Sequence, residues 1–520
     1  MIKKVFQSIL QILGIAILSF VILELAAGIL GSAPGASNFV EAHVIRHGLR
    51  TQKPADEIRI FAYGESTMHG AHYAPVSNPA RWLEEYLKDF LPDKKIKVVN
   101  FARMGKGIHF SLETFKSTLV YRPDVAIFYM GHNDFFPDER MDQLPDHKEP
   151  LKYYFRRLIL KSHFISFLNR LLIRVRMNRD KASSEDRMGH EIIETPLSDL
   201  KGASPTPRSE PFFWMNIEFF DRMLNRIVDL GNRHDVPLLF LEPVSNIKDF
   251  APFQSIHMTV LTPNELAAWD SFFEEGKRLE EKNQKAQALE SYEKAYQIDP
   301  TYAELCFRMG RLYFDEKNYS RARRLLEHAR DFDAIVLRAT KEILEFYHGL
   351  ARQKKINVIQ TEKVFEPKLE GGIPGEPLFE DNVHFSIKGQ ALAGRALAQE
   401  IAEQGWIAPV AQWHFEKERS FEVIGQSLGI RNDLLASAYV RISQYYASRF
   451  TQRITYAQKA LTLDPEGPDA LRSLAWAYWL SNQKEKARTV YQKLGTTYPA
   501  IFQEIVQRLP ELRDVTTPSS

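Results

Sequence analysis

A chain of 520 residues, 44% hydrophobic and 26% charged, holds enough apolar material for several buried cores, and at the usual size of about 100 to 200 residues per domain it divides into roughly three. A net charge of +2 excludes the strongly basic balance of a nucleic-acid binder. One cysteine, Cys306, excludes an intramolecular disulfide and a zinc site built on thiolates, and neither a metal nor a cofactor is expected.

The chain begins with Lys3 and Lys4 ahead of a near-continuous apolar run over 5–31, in which Glu24 is the only charge. Such a run matches the ~20 residues a helix needs to cross a bilayer core and exceeds the core of a signal peptide, so it reads as a transmembrane helix. The positive-inside rule keeps residues 1–4 in the cytoplasm and sends the body to the periplasmic face of the inner membrane. A signal peptide cleaved after Ala33 or Ala36 exports the body equally.

Beyond a Gly/Ala/Ser/Pro linker over 31–37, apolar runs at 58–63, 97–101 and 124–129 alternate with helical patterns at 82–90 and 111–120. Short β-branched runs alternating with helices predict an α/β fold, a parallel sheet with helices on both faces in a three-layer sandwich. The first run ends in Gly64-Glu65-Ser66-Thr67 with Gly70 just beyond. Ser66 therefore leaves a strand at its carboxyl end, where open α/β sheets place their ligand chemistry.

Over 152–181 aromatic and aliphatic residues such as Tyr153, Phe155 and Leu158 interleave with Arg156, Arg157 and Lys161. The segment reads either as a membrane-surface helix or, with greater weight, as a helical insertion whose arginines are solvated. Residues 183–210, rich in Ser, Pro and acids, predict a loop. A helix over 212–233 and a strand over 236–241 resume the α/β pattern and lead to Asn246, which is a weak substrate contact by its strand-end position and a loop cap by commoner usage.

From about Trp269 a 34-residue period sets in. Gly276, Ala288, Tyr292, Ala295 and Pro300, followed by Gly310, Ala322, Leu326 and Ala329, occupy the small, aromatic and proline positions of a tetratricopeptide repeat. Helix pairs of this kind bury small residues where helices cross closely. A helix over 337–353, a strand over 357–360 and a helix over 386–403 return to the α/β pattern. The stretch 433–509 then reads again as all-α repeats, with Ala460 and Pro465 closing a unit made degenerate by Arg453, and Leu474, Ala475, Tyr478, Ala487, Tyr491 and Pro499 forming another. The expected units are an anchor over 5–31, an α/β domain in two parts over 55–261 and 336–410, repeats inserted over 262–335, and C-terminal repeats over 432–510.

Asp381-Asn382-Val383-His384 sets a carboxylate three residues before an imidazole, so one turn lets Asp381 bind one ring nitrogen and leaves the other for Ser66. Gly105, after the second apolar run, lets its backbone N–H approach a ligand, and Asn133 in Gly131-His132-Asn133-Asp134 offers an amide donor. Alone, each reads as readily as a turn glycine, a helix cap or an ordinary turn. Together, Ser66 in its Gly-Glu-Ser-Thr setting, Asn100 with Gly105, the 131–134 block and the 381–384 block resemble the four ordered blocks of the SGNH hydrolases, also called GDSL esterases and lipases, over about 58–401. The run 244–249 is similar to membrane-tethered members that carry tetratricopeptide repeats.

The resemblance implies an SGNH-like, flavodoxin-like sheet. It also implies Ser66 as nucleophile, His384 as base, Asp381 as its partner, and the Ser66 N–H, Gly105 and Asn133 as oxyanion hole. The activity it implies is hydrolysis of a carboxylic ester, on an acylated glycan, a lipid or a small ester, through an acyl-serine. The alternatives are O-acyl transfer by the same triad and a catalytically dead repeat scaffold. Glu65 stands where the family has Asp, which implies altered loop packing. The repeats imply a surface for a protein partner.

Overall fold

The computed structural model describes residues 38–135, 205–446 and 449–508, with Ser19 and Ile22. The anchor expected over 5–31 falls almost wholly outside these residues, as do the basic segment 152–181 and most of the 183–210 loop. Among the described residues no helix is long and apolar enough to cross a membrane.

Five parallel strands form one sheet in the order β2-β1-β3-β4-β5: β1 Glu57–Gly64, β2 Lys95–Asn100, β3 Val125–Tyr129, β4 Leu238–Leu241 and β5 Asn357–Ile359. Period-2 alternation splits each apolar run between two cores. Ile60, Ala62, Ile127 and Leu239 pack with Trp82, Leu83 and Leu87 of the helix Pro79–Phe90 and Leu397 of Ile387–Gln404. Phe61, Tyr63, Phe128 and Phe240 face Phe115 of Ile108–Thr118, Phe220 of Pro211–Arg233 and Tyr347 of Lys341–Arg352. On that second face Tyr63, Phe128 and Phe240 stack ring on ring across three strands, with centroids 5.0 Å apart at each step. Each such ring, fully buried, contributes roughly 1.5 to 3 kcal/mol.

Element ends follow local chemistry. The helix expected from 82 starts at Pro79, because Asn78 caps it by accepting the Arg81 N–H at 2.9 Å. The strand expected from 236 starts at Leu238, since Pro237 has no N–H for the ladder. The helix expected from 337 starts at Lys341, whose N–H is accepted by Asp331 at 3.1 Å.

Between β4 and the helix Lys341–Arg352 the chain forms four helices, Pro263–Glu281, Lys285–Ile298, Ala303–Asp315 and Tyr319–Asp331. Gly276 is small for a packing reason, as a Cβ there would enter the Tyr292 ring. Buried Asp333 and Arg338, paired at 3.1 Å, seal the return to the sheet: Asp333 accepts the Phe253 and Gln254 N–H groups, and Arg338 donates to the Asn246 and Phe250 carbonyls. After Phe421–Leu428, which the sequence reading omits, come Asn432–Tyr445, Phe450–Leu463, Pro468–Leu480, Lys484–Thr497 and Pro499–Arg508.

The strand order reverses between β1 and β3, so a crevice opens beyond their carboxyl ends. The loops carrying Ser66 and Asn133 leave the sheet there.

Candidate active site

Gly64 closes β1 at φ 152°, and a Cβ on it would strike the Tyr129 carbonyl, so the chain can turn only through a glycine. The turn delivers Ser66 to the first position of the short helix Ser66–His69. Across the crevice, a pinched loop carries Asp381 and His384: Phe379 and Phe385 bridge antiparallel, and the Glu380 N–H donates to the His384 carbonyl at 2.9 Å. The two loops meet where the Thr67 hydroxyl donates to the Val383 carbonyl at 3.1 Å.

His384 Nε2 lies 2.7 Å from Ser66 Oγ, and His384 Nδ1 lies 2.6 Å from Asp381 Oδ2. Asp381 Oδ1 accepts the Val383 and His384 backbone N–H groups at 3.0 and 2.8 Å, and Oδ2 is also 2.7 Å from His72 Nε2. Four N–H groups thus meet the roughly four lone-pair positions of one carboxylate. Burial alone would raise the Asp381 pKa, but His384 and His72 outweigh it and hold the carboxyl far below its ordinary range. Ser66 and His384 are 8% and 7% exposed while Asp381 is 0%, so a ligand reaches the hydroxyl and the ring edge but not the carboxylate.

Gly105 sits in an exposed left-handed turn at φ 66° after β2. Next to it, the Lys106 carbonyl accepts one N–H of the Asn133 side-chain amide at 3.2 Å, which fixes the amide and leaves its second N–H for a ligand. Glu65 ties this loop to the serine. Its Oε1 accepts the Gly131 and Asn133 N–H groups at 2.9 and 3.2 Å, and its Oε2 accepts the His132 N–H at 3.0 Å. Burial, followed by the nearby Asp134 charge, pushes the Glu65 pKa well above its ordinary value. Asp134 itself accepts the Ile108 N–H at 2.8 Å and so caps the helix that begins there.

The His132 ring nitrogens are engaged with groups other than Ser66. Nδ1 accepts the Ala339 N–H at 3.0 Å, Nε2 is 3.2 Å from the Tyr129 hydroxyl, and burial pushes the His132 pKa down to about 3. Asn246 is buried in a loop-building role: its side-chain oxygen accepts the Asp249 N–H at 2.8 Å and its own N–H donates to the Asn382 carbonyl at 2.9 Å.

Several contributors have no mark in the sequence. His72 meets Asp381 across 309 positions. Tyr446 and Tyr456, from the C-terminal helices, both donate to the Glu380 carbonyl, at 2.6 and 2.8 Å, and Tyr445 donates to the Asn382 side chain at 3.4 Å. Glu65 had one available signal, an acid enclosed between a turn glycine and Ser66.

Tetratricopeptide repeat models match residues 280–334 and 469–500. No curated protein matches the chain. Among solved structures, a lipase/acylhydrolase from Enterococcus faecalis is 11% identical over 67% of this chain and 96% of its own, with a TM-score of 0.28. A GDSL-like lipase from Bacteroides thetaiotaomicron is 8% identical over 70% and 99%, with a TM-score of 0.30. YrrB, a TPR protein with an unusual peptide-binding site, is 15% identical over 46% and 90%, with a TM-score of 0.14. Likeness at such scores carries no functional weight, and the site's chemistry rests on its own geometry.

Proposed function

We propose that the protein is a serine hydrolase of carboxylic esters. The observation that carries the reading is the unbroken chain from Ser66 Oγ through His384 to Asp381, with links of 2.7 and 2.6 Å. Ser66 Oγ attacks the ester carbonyl carbon as His384 Nε2 takes its proton, and Asp381 stabilises the resulting imidazolium. The Ser66 N–H, Gly105 and the free N–H of Asn133 supply donors for the oxyanion. His384 then returns the proton to the departing alkoxide, leaving an acyl-serine that water, activated by the same ring, hydrolyses. A sugar hydroxyl in place of water makes the same enzyme an O-acyltransferase. A dead scaffold has no need of this alignment.

The test is turnover of short- and long-chain p-nitrophenyl esters by the full chain, with and without an acylatable glycan. Ser66→Ala is expected to abolish turnover and fluorophosphonate labelling while the fold is kept; equal labelling of wild type and variant would remove Ser66 as nucleophile. Acyl groups appearing on the glycan make transfer the principal reaction. The apolar run over 5–31 supports an anchored body on the periplasmic side. A reporter fused after Ser520 is expected to work only in an exported compartment, and cytoplasmic activity would reverse that orientation.

A further inference from the structure

We infer that His72 is a positioning residue for Asp381, donating its Nε2–H to Asp381 Oδ2 so that the carboxylate stays fixed while His384 exchanges protons, and that Arg441 of the C-terminal helices holds His72 in place. The inference rests on the triad reading above.

One carboxylate oxygen lies 2.7 Å from His72 Nε2 and 2.6 Å from His384 Nδ1, and the two rings stand nearly perpendicular, 86° apart with centroids separated by 5.0 Å. An anionic oxygen can only accept, so each ring must present an N–H to it. That assigns the His72 proton to Nε2 and leaves Nδ1, a buried atom with no hydrogen-bond partner, as a bare lone pair. Burial pushes the His72 pKa down despite the pull of Asp381, so the ring donates while neutral. Neutrality matters. A cationic His72 would cancel the negative charge that Asp381 offers the His384 imidazolium, whereas a neutral donor fixes the oxygen and leaves the charge in place.

The ring is also held from behind. His72 has a left-handed backbone, φ 73°, unusual for a residue with a side chain, and its carbonyl accepts from Arg441 Nη2 at 2.8 Å. Arg441 lies on the helix Asn432–Tyr445, whose last residue sets its ring 5.7 Å from His72 and 6.4 Å from His384. The other ionisable groups around the cluster are Glu380, carrying the Tyr73 hydroxyl, then Tyr446 and His132. The C-terminal repeats therefore reach His72 through its backbone carbonyl, beside their hydrogen bonds to the Glu380 carbonyl and the Asn382 side chain.

The experiment is p-nitrophenyl ester kinetics on the full chain from mildly acidic to alkaline pH, with rates taken per site counted by fluorophosphonate labelling. His72→Leu should lower kcat roughly 10- to 100-fold, the usual cost of releasing a group that orients a reacting residue, with KM little changed. Its acid limb should move to higher pH, because a carboxylate no longer shared binds the His384 imidazolium more tightly. His72→Gln, which can return an N–H near the place of Nε2, should recover most of kcat and bring the limb back. Arg441→Met should lower kcat in the same direction by less. A limb unmoved in both His72 variants, with equal loss in each, would make His72 a packing residue and overturn the inference. So would wild-type activity lost to a chelator and restored by zinc, since the ligand atoms of His72, Asp381 and His384 lie within 4.8 Å of one another. Full turnover by Ser66→Ala would instead sink the triad reading, whereas Ser66-dependent turnover indifferent to His72 sinks only this inference.

Discussion

Histidine is used in three ways around the crevice, and burial with partners separates them. His384 keeps an edge toward Ser66, His72 is spent on Asp381, and His132 is enclosed as a neutral acceptor for the Ala339 N–H. The last has a measurable consequence for stability. With its pKa near 3 in the fold, against an ordinary 6.5, His132 binds no proton in the native state over an interval where the unfolded chain does. Its contribution is therefore fully present above about pH 6.5 and is lost as pH falls toward about 3. His132→Asn keeps an acceptor for Ala339 and removes the proton site. The variant is expected to be less stable than wild type at neutral pH, with a deficit that shrinks on acidification, as urea unfolding of both proteins at about pH 7 and about pH 4.5 would show. A deficit constant with pH would mean that the ring is not held neutral.

At the scale of elements, the site is two loops tied at their backs. Glu65 gathers three N–H groups of the 131–133 loop, and Tyr446 with Tyr456 gathers one carbonyl of the 380–384 loop. The second tie predicts non-additivity. Either hydroxyl alone satisfies the Glu380 carbonyl, so Tyr446→Phe and Tyr456→Phe should each cost no more than about 1 kcal/mol, the net worth of one hydrogen bond. The double variant leaves a buried acceptor unpaired and should cost clearly more than the sum, by roughly 1 to 3 kcal/mol, with a fall in kcat as the loop loosens. Strict additivity in urea denaturation would show that the loop keeps its shape without them. These ties also mark where sequence reading stops. Largely apolar runs at 58–63 and 124–129 announce β1 and β3 because a strand buried on both faces is mostly apolar, the buried Arg59 of β1 being paired with Glu57 at 2.7 Å. Ser66 and His384 stand out as a serine leaving a strand and a histidine three residues after an acid. Tyr446 and Tyr456 look like ordinary repeat aromatics, since their shared partner lies 66 and 76 positions away, and nothing local distinguishes His72.

For the molecule as a whole, the C-terminal repeats divide into a part built into the sheet domain and a part that hangs from it. Ile442, Tyr445, Tyr446 and Tyr456 share one cluster with Phe250, and Arg449 lies 4.0 Å over the Phe250 ring while donating to the Ala251 carbonyl at 3.1 Å. The last helices bury a separate cluster among themselves, Leu471, Ala475, Tyr491, Leu494, Phe502 and Val506. In a stack of repeats each unit is stabilised by itself and its neighbours, so a terminal unit with one neighbour opens at the lowest free energy. The helices Asn432–Tyr445 and Phe450–Leu463 have a second neighbour, the 380–384 loop and the segment around Phe250, and should open only with the sheet. Hydrogen exchange in rising, sub-denaturing urea is expected to release amides of 484–508 first and those of 432–463 together with β1 and β3. Ester turnover should survive the first transition and vanish with the second. If 432–463 instead exchanged along with 484–508 while turnover persisted, the repeats would be a separate body, and the hydrogen bonds to His72 and Glu380 would be incidental to the chemistry.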